Sequence, residues 1–402
     1  MTYDAVIVGS GPSGSTAAKI IAEKGYNILL LEKEKFPREK PCGGGLPIRV
    51  LEEFNYLKKE NIIDSYTFGG YAYSSSLKYT AKIKRKTPIL AMVIRKKFDN
   101  ELVKIAIDKG AKFKDSTQVK DIKIKKENTL IIFKNGQEIK SKIIIGADGV
   151  NSIVAKKTGL RTEKIKTGIC VYKEIKLDEK IIESFYENEK YCHLHTRFQK
   201  MKGYGWVFPK KDHVNIGIAE INLDEKIIGT HIDINEMYMK YLNILKKQKI
   251  IPKDLKISNP KGGLLPIYPL KKTYTNRVLL TGDAGGFSNP VSGEGIYYAM
   301  KTAKIAAEIT MKALKNEQYN EEFLSYYQDK WRPIIGDEIK LLIKMIKRQK
   351  EKPNENIIKY ASKDPILANL MLGTLTGKYN IDMVKNQIIK RYLIDSIKYR
   401  FI

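Results

Sequence analysis

The chain reads as an α/β protein built on a Rossmann-like nucleotide domain, and two observations near its start predict this. The run Tyr3-Asp4-Ala5-Val6-Ile7-Val8 has strand length and meets Gly9-Ser10-Gly11-Pro12-Ser13-Gly14, after which Ala17, Ala18, Ile21 and Ala22 recur at helical spacing. A second apolar run, Asn27 to Leu31, then ends in Glu32. Strand, glycine turn, helix, strand and acid follow one another as a dinucleotide fold requires.

Each element of that opening has a physical task. Gly9 permits the tight turn, Gly11 lets the backbone approach a pyrophosphate, and Gly14 lets helix and strand pack closely. Ser13 sits in the first turn of the helix, whose N-terminal amides attract phosphate. Glu32 stands where the fold places a carboxylate for a ribose hydroxyl.

Two later segments repeat the strand-to-turn logic. Ile143-Ile-Ile-Gly-Ala-Asp148-Gly149 is followed by Ser152, and Val278-Leu-Leu-Thr-Gly282-Asp283-Ala284 continues through Pro290 to Gly293-Glu-Gly295-Ile296 and an Ala-rich helix. The pair resembles the flavoproteins related to aromatic hydroxylases. That resemblance implies FAD, with Asp283 on the ribityl or phosphate side and the amides of Gly295 and Ile296 turned toward the isoalloxazine. Arg95, opening Arg95-Lys-Lys-Phe98-Asp99, resembles the family's cofactor-contacting arginine, although it is also one of 73 Lys and Arg residues. Val119 matches the position whose backbone meets adenine.

The same resemblance implies the domain plan. It gives a discontinuous FAD-binding domain at 1–65, 95–163 and 262–325. An antiparallel-sheet substrate domain is inserted at 66–94 and 164–261, and 326–402 forms a helical C-terminal region. Strand-like runs such as Leu77 to Ile83 and Val214 to Ile218 fall in the inserted part.

The segment that narrows the chemistry is Tyr204-Gly-Trp206-Val-Phe208-Pro209. Strand alternation puts its three aromatics on one face, where they serve either a core or a long apolar slot. Together with Pro41-Cys42-Gly43-Gly44-Gly45-Leu46-Pro47, the segment is similar to the geranylgeranyl reductases, especially the archaeal enzymes that saturate the prenyl chains of ether lipids. This resemblance selects the slot. It implies an FAD-dependent oxidoreductase acting on CH–CH groups of geranylgeranyl chains, most similar to enzymes working on digeranylgeranylglyceryl phospholipids. Tyr204, Trp206 and Phe208 are then substrate-binding, Cys42, Tyr204 and Trp206 catalytic, and Cys42, Gly43 and Gly45 adjoin the flavin. The family pattern closes in Gly-x-Gly, read as a turn, whereas this chain has Gly217-Ile218-Ala219.

Composition bounds the remaining possibilities. Three cysteines in 402 residues exclude a disulfide framework, and neither they nor the histidines show metal-ligand spacing. The reading predicts a cytoplasmic protein, with a peripheral position on the inner face of the membrane as its variant. The charge balance of 73 minus 45, or +28, implies an anionic partner or surface, and without a nucleic-acid motif lipid phosphate fits better. From Trp331 to Lys350, Ile335, Ile339, Leu342, Ile343 and Ile346 recur at helical spacing among lysines, which suits either a membrane-surface helix or one packed against a domain. The electron donor stays open among ferredoxin, a deazaflavin and NADPH. Rival readings are a flavin monooxygenase or halogenase of the same fold, and a membrane-associated electron carrier or lipid-binding protein.

Overall fold

A computed structural model describes residues 2–58, 61–197, 201–221, 233–257, 259–348, 355–379 and 381–399. The chain divides into two compact units. The first comprises 1–40, 96–166 and 265–344, and the second 41–95, 167–264 and 345–402.

The first unit is the predicted Rossmann-like sheet. Its strands run in the order Tyr274–Thr275, Val278–Leu280, Glu138–Gly146, Thr2–Val8, Ile28–Leu31 and Lys112–Lys114. The central pairings are parallel, with Ala5 opposite Ile28 and Val8 opposite both Leu31 and Gly146. An antiparallel ribbon, Val119–Ile124 with Thr129–Phe133, pairs onto Glu138–Gly146.

Coverage on both faces explains why these strands are continuous apolar runs. Ala5, Ile7, Ile28, Leu30 and Ile145 pack with Ala17, Ala18 and Ile21 of the Pro12–Ala22 helix and with Ala303 and Ala307 of the Ile296–Asn316 helix. The alternate residues Val6, Val8, Leu29, Leu31 and Ile144 pack with Val119, Ile131 and Phe133 on the ribbon side.

The second unit holds a seven-stranded sheet, in the order Lys261–Pro266, Thr167–Lys176, His213–Glu220, Gly203–Pro209, Cys192–Thr196, Gly69–Tyr73 and Thr80–Lys84. From Thr167–Lys176 to Thr80–Lys84 the pairings are antiparallel except that Cys192–Thr196 runs parallel to Gly69–Tyr73. Residues 41–58 also fall here, because Gly45–Pro47 pairs with Leu90–Met92, which pairs in turn with Ser65–Thr67.

One face of this sheet is a conventional core. Val207, Val214, Ile216 and Ile218 pack against Tyr238, Tyr241 and Leu245 of the Ile234–Lys247 helix and against Ile182 and Tyr186 of the Glu179–Tyr186 helix. Ala72 and Ala81 instead meet the helices Glu355–Ala361, Pro365–Leu375 and Ile381–Lys398.

Two of the expected features take a different form. The 331–350 segment does not turn its apolar stripe outward: Ile335 and Ile339 are fully buried, and Leu342 and Ile343 are buried too. It is a packing helix with solvated lysines, starting at Asp337 after a π-helical turn over Arg332–Gly336 that contains Pro333. Lys350 lies outside the described residues. Gly217-Ile218-Ala219 is likewise no turn, since it continues the His213–Glu220 strand.

The core of the second unit carries two buried histidines. His193 Nδ1 and the Tyr73 hydroxyl share a hydrogen bond of 2.8 Å. His195 Nε2 donates to Gln248 Oε1 at 2.8 Å, which leaves Nδ1 to accept from the Tyr241 hydroxyl at 3.1 Å. The Tyr73 and His195 rings stack at 4.2 Å. Burial lowers His193 to about 3, reinforced by His195, and lowers His195 to about 4 against an opposing hydrogen bond from Gln248.

Both histidines are therefore neutral in the fold, while the unfolded chain protonates near pH 6.5. Their contribution is complete above that pH and is lost as pH falls toward the folded values. The expected loss is about 2 kcal/mol per histidine at pH 5. Melting curves at pH 7 and pH 5 check this, and His193→Gln or His195→Gln should flatten the dependence.

Candidate active site

The first unit brings all three nucleotide-domain signatures together. A Cβ on Gly9, at φ +98°, would lie 2.4 Å from the Ala147 carbonyl oxygen, so the glycine turn touches the strand end that leads to Asp148. A Cβ on Gly14 would lie 1.8 Å from Gly9 O, which is the close helix–strand packing expected there. Ser13 Oγ donates to Thr281 Oγ1 at 2.7 Å, joining the first helix to the Gly282-Asp283 segment.

In front of Gly11 the surroundings are open. A Cβ there would meet only Arg38 Nη2, at 3.6 Å. The Pro12–Ala22 helix has no side-chain cap and no acid in its first turn, so no side chain of its own would compete with an anion for its leading amides. The Ile296–Asn316 helix also starts without a side-chain cap at Gly295, whose Cβ position is 3.6 Å from Asp283 Oδ1. Glu294 Oε1 accepts the Tyr297 amide at 2.6 Å in the first turn of that helix.

Glu32 ends its strand buried, accepting from Ser10 Oγ at 2.9 Å and from the Lys33 amide at 2.9 Å. Val119 begins the ribbon strand beside it, since Thr117 N donates to Glu32 O at 2.8 Å. Arg38 was not singled out by sequence. It bridges Glu32, at 3.4 Å, and the buried carboxylate of Asp99, at 2.9 Å, while standing over the Phe36 ring. A guanidinium fixed by two carboxylates beside a bare glycine turn suits a diphosphate. Asp148 has a structural task, accepting from Ser152 Oγ at 2.5 Å and from the Ile153 amide at 2.6 Å to cap the next helix.

These residues fit FAD: the glycine turn and Arg38 would hold the pyrophosphate, Glu32 the ribose, and Asp283 with the amides of Gly295 and Ile296 the flavin half. The cofactor supplies two-electron redox chemistry when bound.

The second unit carries the aromatic row. Tyr204, Trp206 and Phe208 do lie on one face, with ring centroids 5.8 Å and 6.3 Å apart along it. Tyr172, Cys170, Leu194 and Ala219 join them. Phe208 continues into a second apolar group with Ile89, Leu90, Cys192 and Leu372.

Cross-strand partners explain how a broad indole fits flat on a sheet. Trp206 pairs with Gly217, where a Cβ would lie 2.2 Å from the ring, and Tyr204 pairs with Ala219. The small residues thus make room for rings. Above the row, a Cβ on Gly43 would come within 2.9 Å of Phe208 and 3.1 Å of Trp206 Nε1. The glycine loop therefore lies directly on the aromatics, and Gly44, at φ +76°, packs against Val93 O.

A polar network that sequence reasoning missed fixes this loop to the row. Trp206 Nε1 donates to Asn215 Oδ1 at 2.8 Å. Asn215 Nδ2 donates to the Cys42 carbonyl at 3.1 Å and to Glu174 Oε2 at 3.0 Å. Lys210, fully buried, donates to the same Glu174 oxygen at 2.6 Å. A buried cation with a carboxylate and an amide in fixed geometry orients both the indole and the Cys42 loop.

Cys42 Sγ accepts from the Gly44 amide at 3.4 Å. Burial, and next the Cys42 thiol, push the Tyr172 phenol up to about 12, while burial pushes Tyr204 well above the usual range. Both phenols hold their protons at neutral pH. Arg95 opens the Arg95–Asp108 helix, is buried, and is the last residue of the second unit. Among the described residues no cluster of His, Cys, Asp or Glu is arranged for a metal.

The glycine turn, the buried carboxylate after the second strand and the Gly-Asp segment define a Rossmann-type flavoprotein. The family model described as "FAD binding domain" matches residues 2–338. The chain is 31% identical to the digeranylgeranylglycerophospholipid reductase of Methanococcus vannielii and 32% identical to that of Methanocaldococcus jannaschii, in each case over 82% of both chains. Among solved structures it is similar to a geranylgeranyl bacteriochlorophyll reductase-like protein from Thermoplasma acidophilum, at TM-score 0.79 and 20% identity over 96% of this chain and 99% of that one. A flavin-dependent brominase shares the fold at TM-score 0.70 and 19% identity, over 97% and 99% of the two chains. The chain belongs to the FAD-binding domain family and, within it, to the family of these digeranylgeranylglycerophospholipid reductases.

Proposed function

We propose that the protein is an FAD-dependent reductase that hydrogenates the double bonds of geranylgeranyl chains carried on glycerophospholipids, as in archaeal membrane-lipid synthesis. The observation that carries this reading is the aromatic row at Tyr204, Trp206 and Phe208. It lies on a sheet face widened by Gly217 and Ala219 and extended by Leu90, Cys192 and Leu372. An isolated trisubstituted alkene is unactivated, so its reduction needs water excluded and the chain held still, and an apolar row under a fixed loop suits both tasks.

In this reading Trp206 and Phe208 hold the prenyl chain. Cys42 and Tyr204 are its proton-donor candidates, and burial keeps the Tyr204 phenol protonated at neutral pH. The reductant is ferredoxin, a deazaflavin or NADPH, and the protein works in the cytoplasm.

The test is anaerobic. The purified flavoprotein is reduced with dithionite, digeranylgeranylglyceryl phosphate is added, and flavin reoxidation is followed together with product mass. Reoxidation with mass gains of two hydrogens per step is the expected result. Flavin that stays reduced until air is admitted would instead favour the oxygen-using chemistry of the halogenase-like fold, or electron carriage.

A further inference from the structure

The C-terminal Ile381–Lys398 helix has two apolar faces, and among the described residues only one is covered. Ile381 and Val384 are buried, and Ile388 and Tyr392 pack with Ile358, Ala361 and Leu367. On the other side Met383, Ile389, Leu393, Ile394 and Ile397 are 80%, 55%, 55%, 45% and 78% exposed. At 100° per residue these five fall within an arc of about 140°, which they share with Asn386, Lys390 and, near the helix start, Asp382, whose carboxylate is paired with Lys385 at 2.7 Å.

The stripe has a basic setting. Lys390 lies inside the arc and Lys398 flanks it, while Arg391, further round the helix, is paired with Asp364 at 3.5 Å. We propose that this face is a docking surface for an anionic lipid bilayer, with the helix lying in the headgroup plane, the five apolar side chains entering the acyl boundary and the lysines reaching lipid phosphates. Charge complementarity selects this occupant: the chain carries +28, so a second copy would present the same basic face to it. A nucleic-acid backbone has no counterpart for five apolar side chains. The contact is peripheral, since among the described residues no helix is long and apolar enough to cross a membrane.

The inference is argued from exposure and charge and goes beyond the substrate reading, so its test contains no prenylated lipid. The full-length flavoprotein is floated with vesicles of phosphatidylcholine, with and without phosphatidylglycerol. The wild type should bind the phosphatidylglycerol vesicles and release as salt rises. The triple variant Met383→Ser, Leu393→Ser, Ile397→Ser should bind about 50-fold more weakly. Flavin content should be unchanged and the melting temperature nearly so, because Met383 and Ile397 face solvent and Leu393 is about half exposed. Should the triple variant fold poorly, Lys390→Gln carries the test, with an expected loss of roughly 5-fold for removing one surface cation. Equal binding by variant and wild type would overturn the proposal, as would equal binding to vesicles without anionic lipid. A wild-type dimer that the triple variant converts to monomer would assign the stripe to a second copy instead.

Discussion

Gly11→Val is expected to yield a folded protein that no longer holds FAD. A side chain at Gly11 meets no backbone, the nearest atom being Arg38 Nη2 at 3.6 Å, and φ −69° with ψ −174° suits any residue. The isopropyl group would instead fill the space in which the backbone approaches the pyrophosphate. Several charge-assisted hydrogen bonds of roughly 1.5–3 kcal/mol are lost together, so affinity should fall at least ~100-fold. Gly14→Ala gives the contrast. Its Cβ would sit 1.8 Å from Gly9 O, and helix and strand cannot both stay in place. The cost should be about 3 kcal/mol or more, seen as loss of soluble protein rather than of flavin alone. Flavin absorbance and circular dichroism on the two variants separate the cases. A Gly11→Val protein that retains FAD would mean the phosphates lie elsewhere.

Trp206→Ala should abolish turnover of the prenylated lipid while leaving flavin content nearly unchanged, because the glycine turn, Glu32, Arg38 and Asp283 all belong to the first unit. The indole is 5% exposed, packs on Gly217 and donates to Asn215. Its removal should cost about 3–5 kcal/mol of stability and leave Asn215 Oδ1 without its donor. The loop carrying Cys42 loses its anchor at the same time, and kcat should drop at least ~100-fold, more than two barrier units of about 1.4 kcal/mol. Trp206→Phe keeps an apolar ring and removes only the N–H. A loss of about 10-fold is expected there, in line with one neutral hydrogen bond. Single-turnover reoxidation of the reduced protein measures both. Loss of FAD from Trp206→Ala would show that the row belongs to the cofactor site.

The proposed membrane face bears on substrate supply. An enzyme acting on a lipid gains from lying on the surface that holds it, and the helix carrying the apolar stripe packs into the cluster that includes Ala81 of the second unit's sheet. Its sequence, Ile381 to Lys398, shows apolar residues on both sides of the helix, so periodicity alone cannot say which side is covered. The 331–350 segment shows the converse. Its stripe is clean and its lysines are many, yet the stripe is core.

Local chemistry determined much of this protein from sequence alone. The strand, glycine turn and helix from Thr2 to Ala22 follow from backbone sterics, since Gly9 needs a positive φ and Gly14 a missing Cβ. The facing of Tyr204, Trp206 and Phe208 follows from the two-residue period of a strand. Only the tertiary structure decided what those local elements meet. Gly217 and Ala219, read as a turn, form the floor of the aromatic row because the strand pairing sets them opposite Trp206 and Tyr204. Arg38 and Lys210 could not be picked from 73 cations, because what distinguishes them is burial beside Asp99 and Glu174, carboxylates distant in the chain. Backbone conformation is a property of neighbours in sequence, whereas burial and the pairing of charges are properties of neighbours in space.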